Sequence, residues 1–341
     1  MTLGLAVILA VICGFGVLNG FRDAPNAVAL AVRFRALTPR LSLQLAAGMN
    51  ALGVLFGAVL MIVGVWIFTR PLAEGASGLL ALGAAIMVTV AWGILLWWRR
   101  IPSSTTHALF ASLLGAALAA TLILDYDAAD SLALTVRGEL VVGLVVGPLL
   151  AWLLARIAVR PTLRVSTSVS TVAVQRRSRI TLAVSSSAIA FGHGVQTGQR
   201  LGLLWGMALG AAGYTSQADI SPAMFWAVAL LFAGTVAVGT LGGAWRISWT
   251  LTERLATLDP LRGSVAATTS AVLLFFGSIL LHVPISSTHT TVAGIVGAGQ
   301  DQSFSSVRWG QVARVIGWWI VSPMLCVAAS FILTVGVLSL V

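Results

Sequence analysis

Read from end to end, the chain is a succession of long apolar runs parted by short polar ones, with no period-two alternation of the kind that marks strands. Ten runs stand out, at about 2 to 32, 41 to 68, 79 to 98, 102 to 122, 138 to 158, 180 to 212, 221 to 245, 263 to 282, 285 to 299 and 310 to 340. Most are long enough to cross a hydrocarbon core of roughly 30 Å as helices, and the missing alternation sets helices above a barrel. The first run has neither a basic leader nor a small-residue cleavage site, so it reads as a retained span.

The polar breaks sort by charge. Arg33, Arg35 and Arg40, then Arg99 and Arg100, then Arg246, Arg254 and Arg262, then Arg308 and Arg314 fall on one side if each run crosses once. Glu74, Asp125, Asp127, Asp130, Glu139 and Asp219 collect on the other. Arginine-rich turns face the cytoplasm, which puts both termini outside and suits a plasma (inner) membrane protein. The stretch 159 to 179, with Arg160, Arg164, Arg176, Arg177 and Arg179, is the strongest cytoplasmic signal and reads as a linker between halves 1 to 158 and 180 to 341. Five crossings per half force the second half to enter from the opposite face.

Weak internal symmetry agrees with this. "NGFRDAPN" (19 to 26) corresponds to "HGVQTGQR" (193 to 200), 174 residues on, and "PSSTTH" (102 to 107) to "PISSTH" (284 to 289), 182 residues on. The expected fold is an all-α polytopic membrane protein of two inverted-topology repeats, with broken helices and re-entrant or half-helix hairpins at the midplane.

Composition adds the class by a second route: 58% hydrophobic and 9% charged residues, with mean hydropathy +1.00, are far from the roughly 25% charge of soluble domains. The net charge of +10 is all arginine and sits in short loops, so no nucleic-acid partner is expected. Cys13 and Cys326 lie in apolar runs and read as small buried hydrophobes. No Gly-rich nucleotide loop or metal-ligand spacing appears, so neither an enzyme nor a cofactor is expected. Small-residue spacings such as "GVLFG" and "GTLGG" serve tight helix contacts or a homodimer interface alike. Trp97 and Trp98 sit at a cytoplasmic edge as an aromatic belt requires, while Trp318 and Trp319 fall within a run.

The candidate chemistry lies in the two paired motifs. Proline followed by Ser and Thr is a helix start, and a start inside the membrane leaves backbone N–H groups that an anion can satisfy, aided by the positive end of the helix dipole. Ser103, Ser104, Thr105 and Thr106, and Ser286, Ser287, Thr288, Thr290 and Thr291, add hydroxyls that donate or accept. Simple capping of two ordinary helices is the plainer reading of one copy, and the matched second copy tells against it. Two such ends facing each other would surround a tetrahedral oxyanion.

The other pair carries charge, which costs about 2.5 to 3.5 kcal/mol per residue at membrane depth. Gly20, Arg22, Asp23, Pro25 and Asn26 predict a broken helix whose freed carbonyls, with Asp23 and Asn26, would ligate a hard cation. The alternative is an internal Arg22–Asp23 pair, which adjacent positions on a helix disfavour.

"GFRDAPNAVAL", "FGHGVQTGQR", "PSSTTHALFASLLGA" and "PISSTHTTVAGIVGAG" together resemble the inorganic phosphate transporter (PiT) family, and the likeness extends through "LGGAWRI" and "LDPLRG". The resemblance implies orthophosphate uptake driven by a sodium or proton gradient. The anion would lie on Ser103, Ser104, Thr105, Thr106, Ser286, Ser287, Thr288 and Thr290, with Arg22 and Gln196 beside it. The coupling cation would fall to Asp23, Asn26, Thr197 and Gln199, with sodium at Asp23 and Asn26, and His107, His193 and His289 would support the site.

The second motif departs from the family's His-Gly-Ser-Asn-Asp: it reads His193, Gly194, Val195, Gln196, Thr197, and Arg22 replaces a frequent asparagine. One carboxylate lost and one guanidinium gained make the site more positive, so fewer cations per anion are expected, protons among them. A permease for sulfate or another tetrahedral oxyanion is the alternative, since Asp23 favours protonated phosphate while Thr197 argues against it. A passive anion channel is more distant, because the polar residues cluster rather than line whole helices.

Overall fold

The structure is a computed structural model that describes residues 2–63, 71–126, 142–214, 219–280, 285–300, 302 and 306–340. Asp127, Asp130, Glu139 and Pro284, and the ends of three apolar runs, lie outside the described residues. Eleven helices follow in order: α1 Leu3–Arg33, α2 Pro39–Val63, α3 Gly75–Trp98, α4 Thr105–Leu124, α5 Gly147–Ser166, α6 Thr171–Ala211, α7 Pro222–Gly242, α8 Trp245–Trp249, α9 Pro260–Phe275, α10 Ser287–Gly299 and α11 Trp309–Leu338. Short π-helical turns precede α5 and follow α8 and α9. Among the described residues there is no strand, only a single antiparallel bridge from Ala256 to Val307.

Local sequence sets many of the starts. Thr2, Ser104, Ser170, Ser221, Asp259 and Ser286 each accept from a backbone N–H three residues on, and Pro222 and Pro260 occupy the first helical position, where a missing N–H costs nothing. Among the described residues seven helices, α1 to α5, α7 and α11, are long and apolar enough to span a membrane. Their outer faces carry bare aliphatic side chains such as Leu122, Val238, Met324 and Ile332, a surface that water would not tolerate but lipid does. The remaining predicted spans coincide with α6, which carries the polar run around His193, and with α9 and α10, which are short. Polarity and brevity therefore fall where the candidate motifs are.

One expectation is corrected. The first segment is not broken at 20 to 26: α1 runs unbroken from Leu3 to Arg33 with Pro25 inside it. Neighbouring helices hold it on several sides, so the loss of one hydrogen bond, to the carbonyl of Phe21, does not end it. The stretch 159 to 179, read as a linker, is helical for most of its length. It is the end of α5 and the start of α6, joined by Thr167–Ser170, since arginine is a good helix former and its side chains reach solvent.

Packing is dense and glycine-dependent. α1 lies against α7, α6 and α3, α2 against α6 and α7, α4 against α11 and α3, and α10 against α5 and α9. At the α1–α7 crossing a Cβ on Gly20 would meet the Val236 carbonyl at 2.2 Å, and one on Gly239 the Val17 carbonyl at 1.9 Å. Backbones this close exclude any side chain. Helices α4 and α10 are held the same way, Gly115 against the Val327 carbonyl of α11 and Gly297 against the Trp152 carbonyl of α5.

Candidate functional site

On α1, Asn19, Arg22, Asp23 and Asn26 share one face at i, i+3, i+4 and i+7, and on α6 so do His193, Gln196, Thr197 and Arg200. All eight are buried. The two faces meet: His193 Nε2 lies 2.9 Å from Asn19 Oδ1 and 3.4 Å from Asp23 Oδ2, while its Nδ1 lies 3.0 Å from Asn50 Oδ1. Asn50 in turn donates to Thr240 Oγ1 at 3.0 Å, which fixes the amide so that its oxygen faces the ring.

The hydroxyl-rich starts of α4 and α10 converge on this centre from either side. Thr105 Oγ1 donates to Asp23 Oδ2 at 2.8 Å, and Arg22 donates to the Ser103 carbonyl. Arg200 donates from Nη1 to Thr106 Oγ1 at 3.0 Å and from Nη2 to Thr197 Oγ1 at 3.4 Å. At the other tip, Asn26 Nδ2 donates to Thr288 Oγ1 at 2.9 Å and Ser287 Oγ at 3.3 Å. The tips themselves touch through their histidines: the His107 and His289 rings are 4.7 Å apart, and His289 stacks on Trp319 at 3.8 Å. Trp319 also donates to the Pro102 carbonyl at 2.9 Å, tying α11 to the approach of α4.

Each tip keeps unused donors. Ser104 Oγ accepts from His107 N and Ser286 Oγ from His289 N, so each cap serves one N–H of its first turn. The helix provides no partner for the N–H groups of Thr105 and Thr106, or of Ser287 and Thr288. Ser103 Oγ, His107 Nδ1 and Asn19 Nδ2 are buried and have no hydrogen-bond partner among the described residues. Buried polar atoms are normally satisfied, so these three leave hydrogen-bonding capacity beside the two tips that a ligand could use. Among the described residues two guanidiniums, Arg22 and Arg200, stand against one carboxylate, Asp23, an excess of one positive charge.

The structure thus brings together Ser103, Ser104, Thr105, Thr106, Ser286, Ser287, Thr288, Thr290, Arg22, Asp23, Asn26, Gln196, Thr197, His193 and His289 in one buried region, with the half-buried His107 at its edge. Thr290 turns its hydroxyl back to the Ser286 and Ser287 carbonyls, which makes it a brace for the tip. Gln199 is half-buried, off the shared face of α6, and makes no hydrogen bond among the described residues. The Arg22–Asp23 neighbour pair does form, at 3.6 Å, too long for a hydrogen bond. Sequence reasoning missed Asn19, Asn50, Arg200 and Trp319. The helical spacing of the first and third within their quoted motifs was the available signal.

A helical, multi-pass membrane protein with a buried polar centre is what the fold and site define. The chain belongs to the phosphate transporter family, whose family model matches residues 19–175 and 163–330. It is 31% identical over 326 residues to a "Probable low-affinity inorganic phosphate transporter" of Rhizobium meliloti (strain 1021), covering 93% of this chain and 92% of that one. A protein of the same description from Bacillus subtilis (strain 168) is 29% identical over 326 residues, covering 93% of each. "Low-affinity inorganic phosphate transporter PitA" of Escherichia coli (strain K12) is 28% identical over 231 residues, 61% of this chain and 46% of that one. A solved structure titled "The sodium-dependent phosphate transporter" shares the fold, with TM-score 0.70 over 98% of this chain and 100% of that one at 17% identity.

Proposed function

We propose that this protein is a secondary active transporter that imports inorganic phosphate across the plasma (inner) membrane, coupled to a sodium or proton gradient. The observation that carries the reading is the convergence of two capped half-helix starts and two buried guanidiniums on one centre with a single carboxylate. A buried excess positive charge is costly until an anion neutralises it, and N–H groups at helix starts are suited to tetrahedral oxygens. An ionised Asp23 beside the α4 tip would accept a hydrogen bond from the proton that phosphate keeps near neutral pH and repel sulfate, which carries none, so phosphate is favoured over sulfate.

Contacts repeat under exchange of the two halves, which supports two inverted repeats, 1–158 and 180–341. α1 meets α7 as α6 meets α2, and α4 meets α11 as α10 meets α5. Gly239 opposes Val17 as Gly53 opposes Phe191, the latter carbonyl 174 residues beyond the former. Gly115 and Gly297 are 182 apart, the offset of the two Pro-Ser motifs. Two halves rocking about a shared centre would expose it to each face in turn. Arginine-rich ends gather on one face, with Arg33 paired to Glu253 at 2.8 Å, Arg246 over Trp97 and Arg100 over Trp249, which supports that face as cytoplasmic and both termini as external.

The coupling cation is drawn to Asp23, the carboxylate of the centre. His193, with acceptors opposite both ring nitrogens, is placed to hold a proton there, and Asn26 and Asp23 offer oxygens to sodium. Uptake of labelled phosphate into proteoliposomes, competed by sulfate and arsenate under imposed sodium or proton gradients, tests the reading. Gradient-driven accumulation blocked by arsenate is the expected result, and accumulation of sulfate in preference to phosphate contradicts it.

A further inference from the structure

We infer that Arg200 is a cation built into the second half of the site, so that one phosphate moves with no more than one coupling cation. The inference rests on the phosphate-transport reading and specifies how its charge is balanced.

The argument comes from comparing the halves of this one chain. Arg200 lies 174 residues beyond Asn26, and Thr106 lies 182 residues before Thr288. Asn26 donates to Thr288 at 2.9 Å, and Arg200 donates to Thr106 at 3.0 Å. One contact is therefore made twice, in one half by a neutral amide and in the other by a guanidinium. The same offset carries Asp23 onto Thr197, which accepts from Arg200 at 3.4 Å. In the first half a carboxylate and an amide stand at the tip and offer oxygen to a cation. In the second half no carboxylate stands there among the described residues, and the position is filled by a fixed positive group that a mobile cation would have to approach against like charge.

Arg200 is also equipped to meet an anion. It is 6% exposed, and of its five N–H donors three are used, on the Gln196 carbonyl, Thr106 and Thr197. The other two, one on each terminal nitrogen, have no acceptor among the described residues, an arrangement that suits bidentate contact with an oxyanion. A guanidinium stays charged across the physiological range, so this charge assists binding in every cycle. It cannot travel, so it adds nothing to the driving force. Phosphate would be bound with less dependence on cations and accumulated less steeply than by a carrier with a carboxylate in each half.

The test uses the full chain in proteoliposomes, with the reversal potential of phosphate flux under sodium and proton gradients giving cations per phosphate, and titration with inorganic phosphate giving affinity. Wild type should move at most one cation per phosphate, and Arg200→Lys should keep that number. Arg200→Asn should bind phosphate about 10- to 100-fold more weakly, as loss of a charged hydrogen-bond donor implies. The double variant Thr197→Asp with Arg200→Asn should recover affinity only when sodium is added and gain a cation per phosphate. Two or more cations per phosphate in wild type, unchanged affinity in Arg200→Asn, or sodium-independent recovery in the double variant overturns the inference. If Arg200→Asn does not fold, the wild-type and Arg200→Lys stoichiometries decide. A wild-type protein that binds no inorganic phosphate overturns the underlying reading as well, whereas one that transports it with two cations overturns only the role of Arg200.

Discussion

At the residue scale, Asp23 holds the site together because it faces three groups at once: Arg22 at 3.6 Å, His193 at 3.4 Å and Thr105 at 2.8 Å. Asp23→Asn leaves two guanidiniums buried with no carboxylate between them, a loss of about 3 to 5 kcal/mol when a buried pair is broken. Thermal unfolding of the purified variant should show it, and proteoliposomes should lose accumulation against a gradient; a persistent leak of phosphate instead would point to a channel. Asn26→Ala removes both donors to the α10 tip and should cost about 1 to 3 kcal/mol in the same unfolding assay, since Ser287 and Thr288 lose a buried partner.

These residues were legible to different degrees, for a physical reason. Charge inside an apolar run is conspicuous, so Arg22 and Asp23 stand out at once. Arg200 ends a polar run and resembles a flanking charge until helical spacing places it on the face of His193, Gln196 and Thr197, from which Gln199 is turned away. Asn50 and Trp319 lie in unremarkable apolar context, and only the tertiary contacts to His193 and His289 give them a role.

At the scale of elements, close backbone crossings dictate where glycine is irreplaceable. Gly20→Ala would press a methyl into the Val236 carbonyl and Gly297→Ala into that of Trp152, each at 2.2 Å, so each should destabilise by about 1 to 3 kcal/mol. Gly48 on α2 has nothing within 4 Å, and Gly48→Ala should instead stabilise by about 0.5 to 1 kcal/mol through helix propensity. Equal effects of the three substitutions on melting temperature would contradict this. Hydrophobic runs located the apolar bodies of most helices, because length and apolarity are local properties, but missed the polar extensions of α5 and α6 and the short α8. The continuity of α1 through Pro25 was not local: it depends on the helices packed around it.

At the scale of the whole molecule, the arrangement of charged ends predicts a sidedness that labelling can test. With Cys13 and Cys326 replaced by alanine, Arg164→Cys should react with a membrane-impermeant thiol reagent only from the cytoplasmic face, and Glu74→Cys only from the opposite face. Both side chains are exposed, so reaction of both from one face would reject the proposed topology. The contact between Arg33 and Glu253 on the arginine-rich face joins two half-exposed groups, and Glu253→Gln should alter stability by no more than about 1 kcal/mol.

The most direct measurement is a density map of the protein in lipid with saturating phosphate. Tetrahedral density within hydrogen-bonding reach of the first-turn N–H groups of α4 and α10, with Arg200 against it, is the predicted result. Tips drawn apart with lipid between them, or phosphate bound only elsewhere on the protein, would contradict the account.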